Sequence, residues 1–211
     1  MSIGTLAGIW RYPIKSLRGE PLERAEVAPE GIPGDRASAL FVRSGHARAG
    51  RTFRGKEHRG LHLLDGAGEA VAAAARDGVA LEPRCADHFF DDAPVSLLID
   101  RWLDELSAHA GYRVEPERFR PNFFVRADRA FDARESDLRG RTLLLGSARL
   151  RVRGPIERCV TITYHPQGAA PDPEILRYVA TQRDAWMGIY CDVAAVGTVA
   201  VGDVLSLAES D

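Results

Sequence analysis

The chain carries at residues 153–163 the run Arg153-Gly154-Pro155-Ile156-Glu157-Arg158-Cys159-Val160-Thr161-Ile162-Thr163, in which a turn leads to a cysteine beside an arginine. A thiolate is a strong nucleophile and a soft metal ligand, and a neighbouring guanidinium stabilises it. Cys159 is therefore a candidate for sulfur or transition-metal chemistry. The alternative is a buried structural thiol, since free cysteine is among the most buried residue types.

The residues around this run predict short strands. Residues 148–153 alternate strictly between apolar and cationic side chains, so the two sets face opposite sides of a sheet. We predict that the three arginines of this segment face solvent. The predicted strands, mostly bounded by glycine, proline or aspartate, are Leu6–Tyr12, Ala37–Val42, Asn122–Arg126, Ala148–Val152, Cys159–Tyr164 and Thr198–Leu207.

Helices are predicted at three places. Residues 65–77 and 96–110 have helical patterning and are each followed by glycine, and a third helix begins with Asp172 as N-cap and Pro173 at the first position. The strands outnumber the helices and are too short for a doubly wound sheet. We therefore predict an α+β, β-rich fold built around a barrel, and the proline-containing segment 115–121 is the best candidate for a join between two halves.

Composition excludes several classes of function. Lys and Arg total 28 against 30 Asp and Glu, so no overall field of either sign recruits nucleic acid or an anionic membrane. Three widely spaced cysteines argue against a disulfide framework, a zinc knuckle or an iron–sulfur cluster. The longest run of small apolar residues, 70–75, is too short to cross a bilayer. We expect a cytoplasmic protein without a membrane anchor.

Other short motifs carry less chemistry. His58 and His62 have zinc-like spacing, but Gly60 lies between them and no glutamate completes the zincin motif, so we do not expect a metal there. The basic loop 51–56 could touch phosphate, although such loops are more often solvated. Residues 165–168 predict a turn, and Cys191 is interpreted as a core thiol.

Five segments together resemble a known family. They are Tyr12–Ser16, Gly31–Arg36, Arg118–Asn122, Arg158–Thr163 and Val201–Asp203, and in this order they look like a MOSC protein with its N-terminal β-barrel domain. The resemblance implies two packed β-barrel-like domains with a few short helices, divided as 1–115 and 116–211. Two-domain members include the mitochondrial amidoxime-reducing component and its bacterial relatives, which hold a molybdenum–molybdopterin cofactor between the domains. Pyridoxal phosphate binding is implied by the family's naming only.

The resemblance also implies a site. A cysteine in the position of Cys159 ligates molybdenum in those relatives, and the cofactor contacts map onto Lys15, Ser16, Arg36, Arg120, Asn122, Arg158 and Tyr190. Cations, amides, hydroxyls and one thiolate suit a ligand with a phosphate, a dithiolene and a polar ring. Simpler roles remain open: a strand-end turn for Lys15 and Ser16, an exposed ion pair for Asp35 and Arg36, a turn cap for Asn122.

Two functions follow from these residues. The first is a molybdenum-dependent oxidoreductase that reduces N-hydroxylated or related N-oxygenated small molecules, with electrons from a separate redox protein because three cysteines cannot ligate a plant-type cluster. The second is a sulfur carrier or sulfurtransferase that loads a persulfide on Cys159. Lys15, Ser16 and Arg36 favour the first function. The departures from the reductase pattern are Ala49, Ile99, Trp102 and Leu138, and the loss of hydroxyl groups near Ile99 and Trp102 favours the second function or a cofactor carrier without chemistry.

Overall fold

A computed structural model describes residues 1–86, 88–168 and 170–208. In chain order its strands are β1 (Ser2–Arg11), β2 (Glu20–Leu22), β3 (Arg24–Val27), β4 (Ser38–Ser44), β5 (Ala80–Cys85), β6 (Val95–Ile99), β7 (Phe123–Ala127), β8 (Thr142–Leu145), β9 (Ala148–Glu157), β10 (Trp186–Ala195), β11 (Gly197–Ala200) and β12 (Val204–Leu207). The helices are α1 (Ala67–Arg76), α2 (Asp100–Ala110) and α3 (Pro173–Gln182), and short 3-10 turns cover Leu61–Leu63, Pro116–Phe119, Glu135–Leu138 and Val160–Thr163. The α+β, β-rich fold class predicted from the sequence is confirmed.

A closed barrel forms the larger body. Strands β1, β7, β6, β10, β9, β8 and β12 pair in this order, and β12 pairs back with β1. Only β6 and β7 among these neighbours are parallel, with Leu97 opposite Phe123. Alternate positions of β9 fill the interior, so Leu150 is buried while the arginines at 149, 151 and 153 are exposed. The prediction that this arginine stripe faces solvent is confirmed.

A smaller body packs beside the barrel. Strand β4 pairs with β5, helix α1 packs on β5, and the two-stranded sheet shares a second buried cluster with Leu17, Phe53 and Leu61. The resemblance implies a second barrel here, but among the described residues β1 belongs to the large barrel and β3 pairs with β11. Because β1 pairs with β7 and β12 in the large barrel, the described part of the smaller body keeps only the two-stranded sheet of β4 and β5 and closes no separate barrel. The boundary near residues 115 and 116 stays a prediction.

One predicted element is wrong and a second is wrong in part. Residues 159–164 form no strand: β9 ends at Glu157, and Val160–Thr163 make a 3-10 turn in which the Thr163 hydroxyl donates to the Val160 carbonyl at 2.7 Å. This turn buries Ile162, so packing overrides the β-propensity of Val, Thr and Ile. The helix predicted from residue 96 begins at Asp100, because residues 95–99 form β6, whose five residues are all buried in the barrel.

The start of α3 agrees with the prediction, and the last predicted strand agrees in part. Helix α3 begins as expected, with the Asp172 carboxylate accepting the Glu174 N–H at 3.0 Å and Pro173 in the first turn. The strand predicted at 198–207 is divided into β11 and β12 by a turn at Val201 and Gly202. No helix of the described residues is long and apolar enough to cross a membrane.

Candidate functional site

A cleft of about 400 Å³ lies where the smaller body meets the barrel. Residues of both bodies line it, from the turn after β1, the segment before β4, the start of β7 and the turn after β9. All eight side chains that the family resemblance assigns to the site line this one cleft: Lys15, Ser16, Arg36, Arg120, Asn122, Arg158, Cys159 and Tyr190. Folding therefore brings together residues up to 175 positions apart in the sequence.

Unusual backbone conformations are concentrated at the cleft. Ser16, Arg36 and Arg120 have φ values of 72°, 49° and 52°, in the left-handed region that residues with a side chain rarely adopt. Of the described residues other than glycine, only Asp184 and Ala185 share this property. Such conformations cost free energy and persist where the surrounding structure enforces them, typically at binding sites.

Tyr12 is the centre of a cationic cluster. The guanidinium carbons of Arg36 and Arg120 lie 4.8 Å and 4.2 Å from the centroid of its ring. The Tyr12 hydroxyl donates to the Pro121 carbonyl at 3.2 Å, and its backbone N–H donates to the buried Asp35 carboxylate at 2.7 Å. Asp35 also forms an ion pair with Arg36. The ion pair suggested by the sequence is thus present, but it is part of the cleft wall.

Arg120 has an unpaired donor. Its Nη2 is buried and has no hydrogen-bond partner among the described residues. Burial, together with the nearby positive charge of Arg36, lowers the pKa of Arg120 to about 10. A buried donor without a partner costs about 1–3 kcal/mol, so a bound anion at this position would be stabilised strongly.

Arg158 is held rigidly beside the cysteine. Its Nε donates to the Met187 carbonyl at 2.7 Å and its Nη1 to the Phe119 carbonyl at 2.9 Å. Burial lowers the pKa of Arg158 to about 10, and no carboxylate of the described residues forms an ion pair with it. A β-carbon on Gly188, whose φ is 87°, would lie 3.0 Å from Arg158 Nη2, so glycine there leaves room for the guanidinium.

Cys159 lies exposed at the cleft. It precedes the 3-10 turn Val160–Thr163, and its Sγ is 3.3 Å from the Thr161 hydroxyl oxygen. Cys191, in contrast, is fully buried, and burial raises the pKa of its thiol. The interpretation of Cys191 as a core thiol is confirmed, while the alternative of a buried structural thiol is wrong for Cys159.

Asn122 supports the cleft from behind. Its Oδ1 accepts hydrogen bonds from the Ser96 N–H at 3.0 Å and the Ser96 hydroxyl at 2.9 Å, and its Nδ2 donates to the Trp10 carbonyl at 3.3 Å. The side chain is 1% exposed. Asn122 therefore ties β1, β6 and β7 together, and most of its hydrogen-bonding capacity is used within the protein.

The other predicted contacts have different surroundings. Lys15 forms an ion pair with Asp91 at the cleft, and only 17% of its side chain is exposed. Tyr190, on β10, has a raised pKa because its phenol is largely buried. Ser16 follows Lys15 in the turn after β1. The structure places all three at the cleft wall, which is consistent with the turn role suggested for Lys15 and Ser16 as well as with binding.

Sequence reasoning missed part of the cleft. The composition of the basic loop favours a solvent-exposed role. The structure instead places its residues 54–56 at the cleft, together with His62, Ser96 and Thr161. Lys15 and Lys56 are the only lysines among the 28 cationic residues, and both line the cleft. A basic loop beside an aromatic is the only sequence signal that could have pointed to this wall.

The departures from the family pattern lie away from the cleft. Ala49 is exposed in a turn, while Ile99, Trp102 and Leu138 are buried in the barrel core. The Trp102 indole N–H donates to the Ala133 carbonyl at 2.9 Å. None of these four residues lines the cleft, where Ser96 and Thr161 supply hydroxyl groups instead.

The described residues contain no ready-made metal site of three or more His, Cys, Asp or Glu side chains. His58 Nε2 lies 3.5 Å from Asp77, and His62 Nε2 donates to the His165 carbonyl at 2.9 Å. Both imidazoles thus have other partners within the protein. Any metal in the cleft would have Cys159 as its protein thiolate and would need further ligands from a bound cofactor.

Sequence profiles match two segments of the chain. The profile of the MOSC domain matches residues 86–206, and that of the MOSC N-terminal beta barrel domain matches residues 3–62. The chain belongs to the MOSC family. This family binds the molybdenum cofactor in general. A search of curated proteins finds no match to the chain.

Two solved structures are similar to this chain in fold, and a third is less similar. The YuaD protein from Bacillus subtilis has a TM-score of 0.54 and 17% identity, covering 96% of this chain and 94% of that one. A hypothetical protein has a TM-score of 0.53 and 15% identity, covering 100% of this chain and 70% of its own. YiiM from Geobacillus stearothermophilus, with a TM-score of 0.44 and 19% identity, covers 56% of this chain and 55% of its own. At these identities the likeness concerns the fold.

Proposed function

We propose that this MOSC protein is a molybdenum-dependent oxidoreductase that reduces N-hydroxylated or related N-oxygenated small molecules. The observation that carries the proposal is the buried Nη2 of Arg120, which lacks a hydrogen-bond partner in the same cleft that exposes Cys159. A desolvated guanidinium with an unused N–H donor favours a bound phosphate or anionic ring oxygen, which would accept that hydrogen bond. An exposed thiolate nearby is what a soft metal requires.

The donor set fits a molybdopterin. Arg120 and Arg36 flank Tyr12 and would hold the phosphate, with Lys15 and Ser16 at the adjoining turn. Arg158 would meet a further polar edge of the cofactor, because its Nη2 is not used in its two backbone hydrogen bonds. Cys159 would ligate the metal. Asn122 would keep Ser96 and the start of β7 in place rather than contact the ligand itself.

The bound cofactor would supply two-electron redox chemistry to the N–O bond of the substrate. The overall reaction consumes two electrons and two protons, breaks the N–O bond, and releases water and the N–H product. The chain's own thiols cannot deliver the electrons, since Cys191 is buried and the other two cysteines are exposed singly. A separate redox protein would therefore donate them.

Alkylation of Cys159 tests this function. Protein made in a host that synthesises molybdopterin is treated with iodoacetamide before and after removal of the cofactor, and each cysteine is followed by peptide mass spectrometry. We expect Cys159 to be protected in the loaded protein and to react after removal, because a metal occupies its lone pair. Equal reactivity of Cys159 in both samples, with Cys85 as the internal reference, would contradict ligation.

Exposure of Cys159 favours a second function, that of a sulfur carrier. Val160 is 39% exposed beside it, so a partner could approach the thiol from solvent. As a carrier, Cys159 would attack the persulfide of a cysteine desulfurase, and the outer sulfur would move to Cys159 while the desulfurase thiolate leaves. Incubation with a desulfurase and cysteine should then add one sulfur to Cys159, seen as a mass increase that a reductant removes.

A further inference from the structure

Lys56 stands out among the cations of the cleft. Lys15 and Arg54 are paired with Asp91 and Glu57, but no carboxylate of the described residues lies within ion-pair distance of Lys56. The lysine is exposed, and it lines the same cleft as Cys159. The proposed cofactor contacts do not include it. Its charge is therefore available for another ligand.

The loop that carries Lys56 is fixed against the cysteine turn. Glu57, whose side chain is 9% exposed, accepts the Arg54 N–H at 2.7 Å and binds the Arg54 guanidinium, so the loop is closed on itself. Gly55 is buried, and a β-carbon on it would lie 3.4 Å from Thr161 Cγ2. Thr161 in turn contacts Cys159. The loop thus packs against the turn that carries Cys159.

We propose that Lys56 forms an anion-recognition point beside Cys159, so that the substrate reduced there carries a carboxylate or a similar anionic group. This inference rests on the proposed function and names its substrate class. Four carboxylates oppose the positive potential: Glu57 is neutralised by Arg54 and Arg48, Asp91 is paired with Lys15, and Glu117 and Glu157 are exposed and line the cleft. Water screens these exposed carboxylates and the exposed Lys56 alike, whereas the partly buried guanidiniums of Arg120 and Arg158, which form no ion pair with a described carboxylate, add to the positive potential near Lys56.

The first experiment needs no cofactor. Cys159 of the cofactor-free protein is alkylated with iodoacetate and with iodoacetamide, which differ in charge, and the ratio of the two rates is divided by the same ratio at the exposed Cys85. We expect Lys56→Glu to lower this normalised ratio about two- to fivefold at low salt, and less at high salt. Lys56→Arg should keep it. Arg24→Glu is the matched control, since Arg24 is exposed and lies outside the cleft.

A second experiment uses the loaded protein with a suitable electron donor. The value of kcat/KM is measured for benzamidoxime and for 4-carboxybenzamidoxime, which share the reacting group. We expect wild type to prefer the carboxylated substrate and Lys56→Glu to lower that preference about threefold or more. Equal alkylation ratios in wild type and Lys56→Glu would overturn the anion site. Reduction of both substrates without preference would overturn the substrate class alone, whereas reduction of neither, with an intact alkylation effect, would count against the proposed function.

Discussion

The guanidinium of Arg120 stacks on the ring of Tyr12, with its Cζ 4.2 Å from the ring centroid. A buried cation that has no carboxylate partner is expensive, and the aromatic face offsets part of that cost. The arrangement keeps a charged group ready in the cleft wall without neutralising it. Tyr12 therefore acts as a positioning residue for the cation that we assign to the cofactor phosphate.

Replacing the ring of Tyr12 should weaken anion binding. Tyr12→Leu removes the surface on which Arg36 and Arg120 rest, so we expect cofactor occupancy to fall at least severalfold. Tyr12→Phe keeps the ring and loses only the hydrogen bond to Pro121, so it should retain occupancy and lose about 1 kcal/mol of stability. Pterin content and urea unfolding of both variants measure the two effects. Equal cofactor occupancy in the Leu and Phe variants would show that the ring of Tyr12 does not support cofactor binding.

Asn122 should prove important for stability. Asn122→Ala leaves the Ser96 N–H without its acceptor and breaks the link to Trp10, so we expect a loss of about 2–4 kcal/mol in the free energy of unfolding. Denaturant titration checks this value. A loss below about 0.5 kcal/mol would show that the observed hydrogen bonds do not hold the three strands together.

His62 should make the protein less stable at acidic pH. Burial lowers the pKa of His62 below its usual 6.5, although the hydrogen bond to the His165 carbonyl acts in the opposite direction. At pH values below about 6.5 the unfolded chain binds a proton that the folded protein resists, so stability falls as the pH is lowered. His62→Phe preserves the stacking on Tyr164. We expect the unfolding midpoint of this variant to change less between pH 7 and pH 5 than that of wild type. An unchanged slope would assign the pH dependence to other groups.

Glu135 should anchor the back of the Arg158 site. It is buried, pairs with Arg183 through both oxygens at 3.0 Å and 2.8 Å, and accepts the Gly188 N–H at 3.3 Å. We expect Glu135→Ala to cost about 3 kcal/mol, because it leaves Arg183 with Glu105 as its remaining partner. Glu105→Ala is the matched control and should cost at most about 1 kcal/mol, since Glu105 is half exposed. Similar thermal shifts for the two variants would contradict this difference.

The sequence predicts local structure well where one physical signal dominates. The alternation of residues 148–153 identifies both β9 and its outward arginines, and Asp172 with Pro173 marks the start of α3. Prediction from the sequence fails where tertiary packing decides the backbone conformation or the strand partner. Val160–Thr163 have strand propensity but bury Ile162 through a 3-10 turn, and β1 joins the large barrel although it belongs to the N-terminal half.

The candidate site shows the same division. Short motifs identify seven of the eight predicted residues that line the cleft, because these motifs mark turns that end or begin a strand, whereas Tyr190 lies within β10 and outside every motif. Position in the sequence gives no signal that the loop 54–56 reaches Cys159, since that approach depends on how the smaller body packs. Nor does it reveal that the carboxylate of Asp35 is buried, which makes its pairing with Arg36 part of the wall.

Molybdenum and pterin content tests the central claim most directly. Protein from a host that makes molybdopterin is analysed for metal by mass spectrometry and for oxidised pterin by fluorescence, in wild type, in Arg120→Ala and in the outer-face control Arg149→Ala. We predict nearly one of each per chain in wild type and the control, and a loss of at least about tenfold in Arg120→Ala, corresponding to about 1.4 kcal/mol. Near-zero molybdenum and pterin in folded wild-type protein, or equal content in all three proteins, would contradict the account.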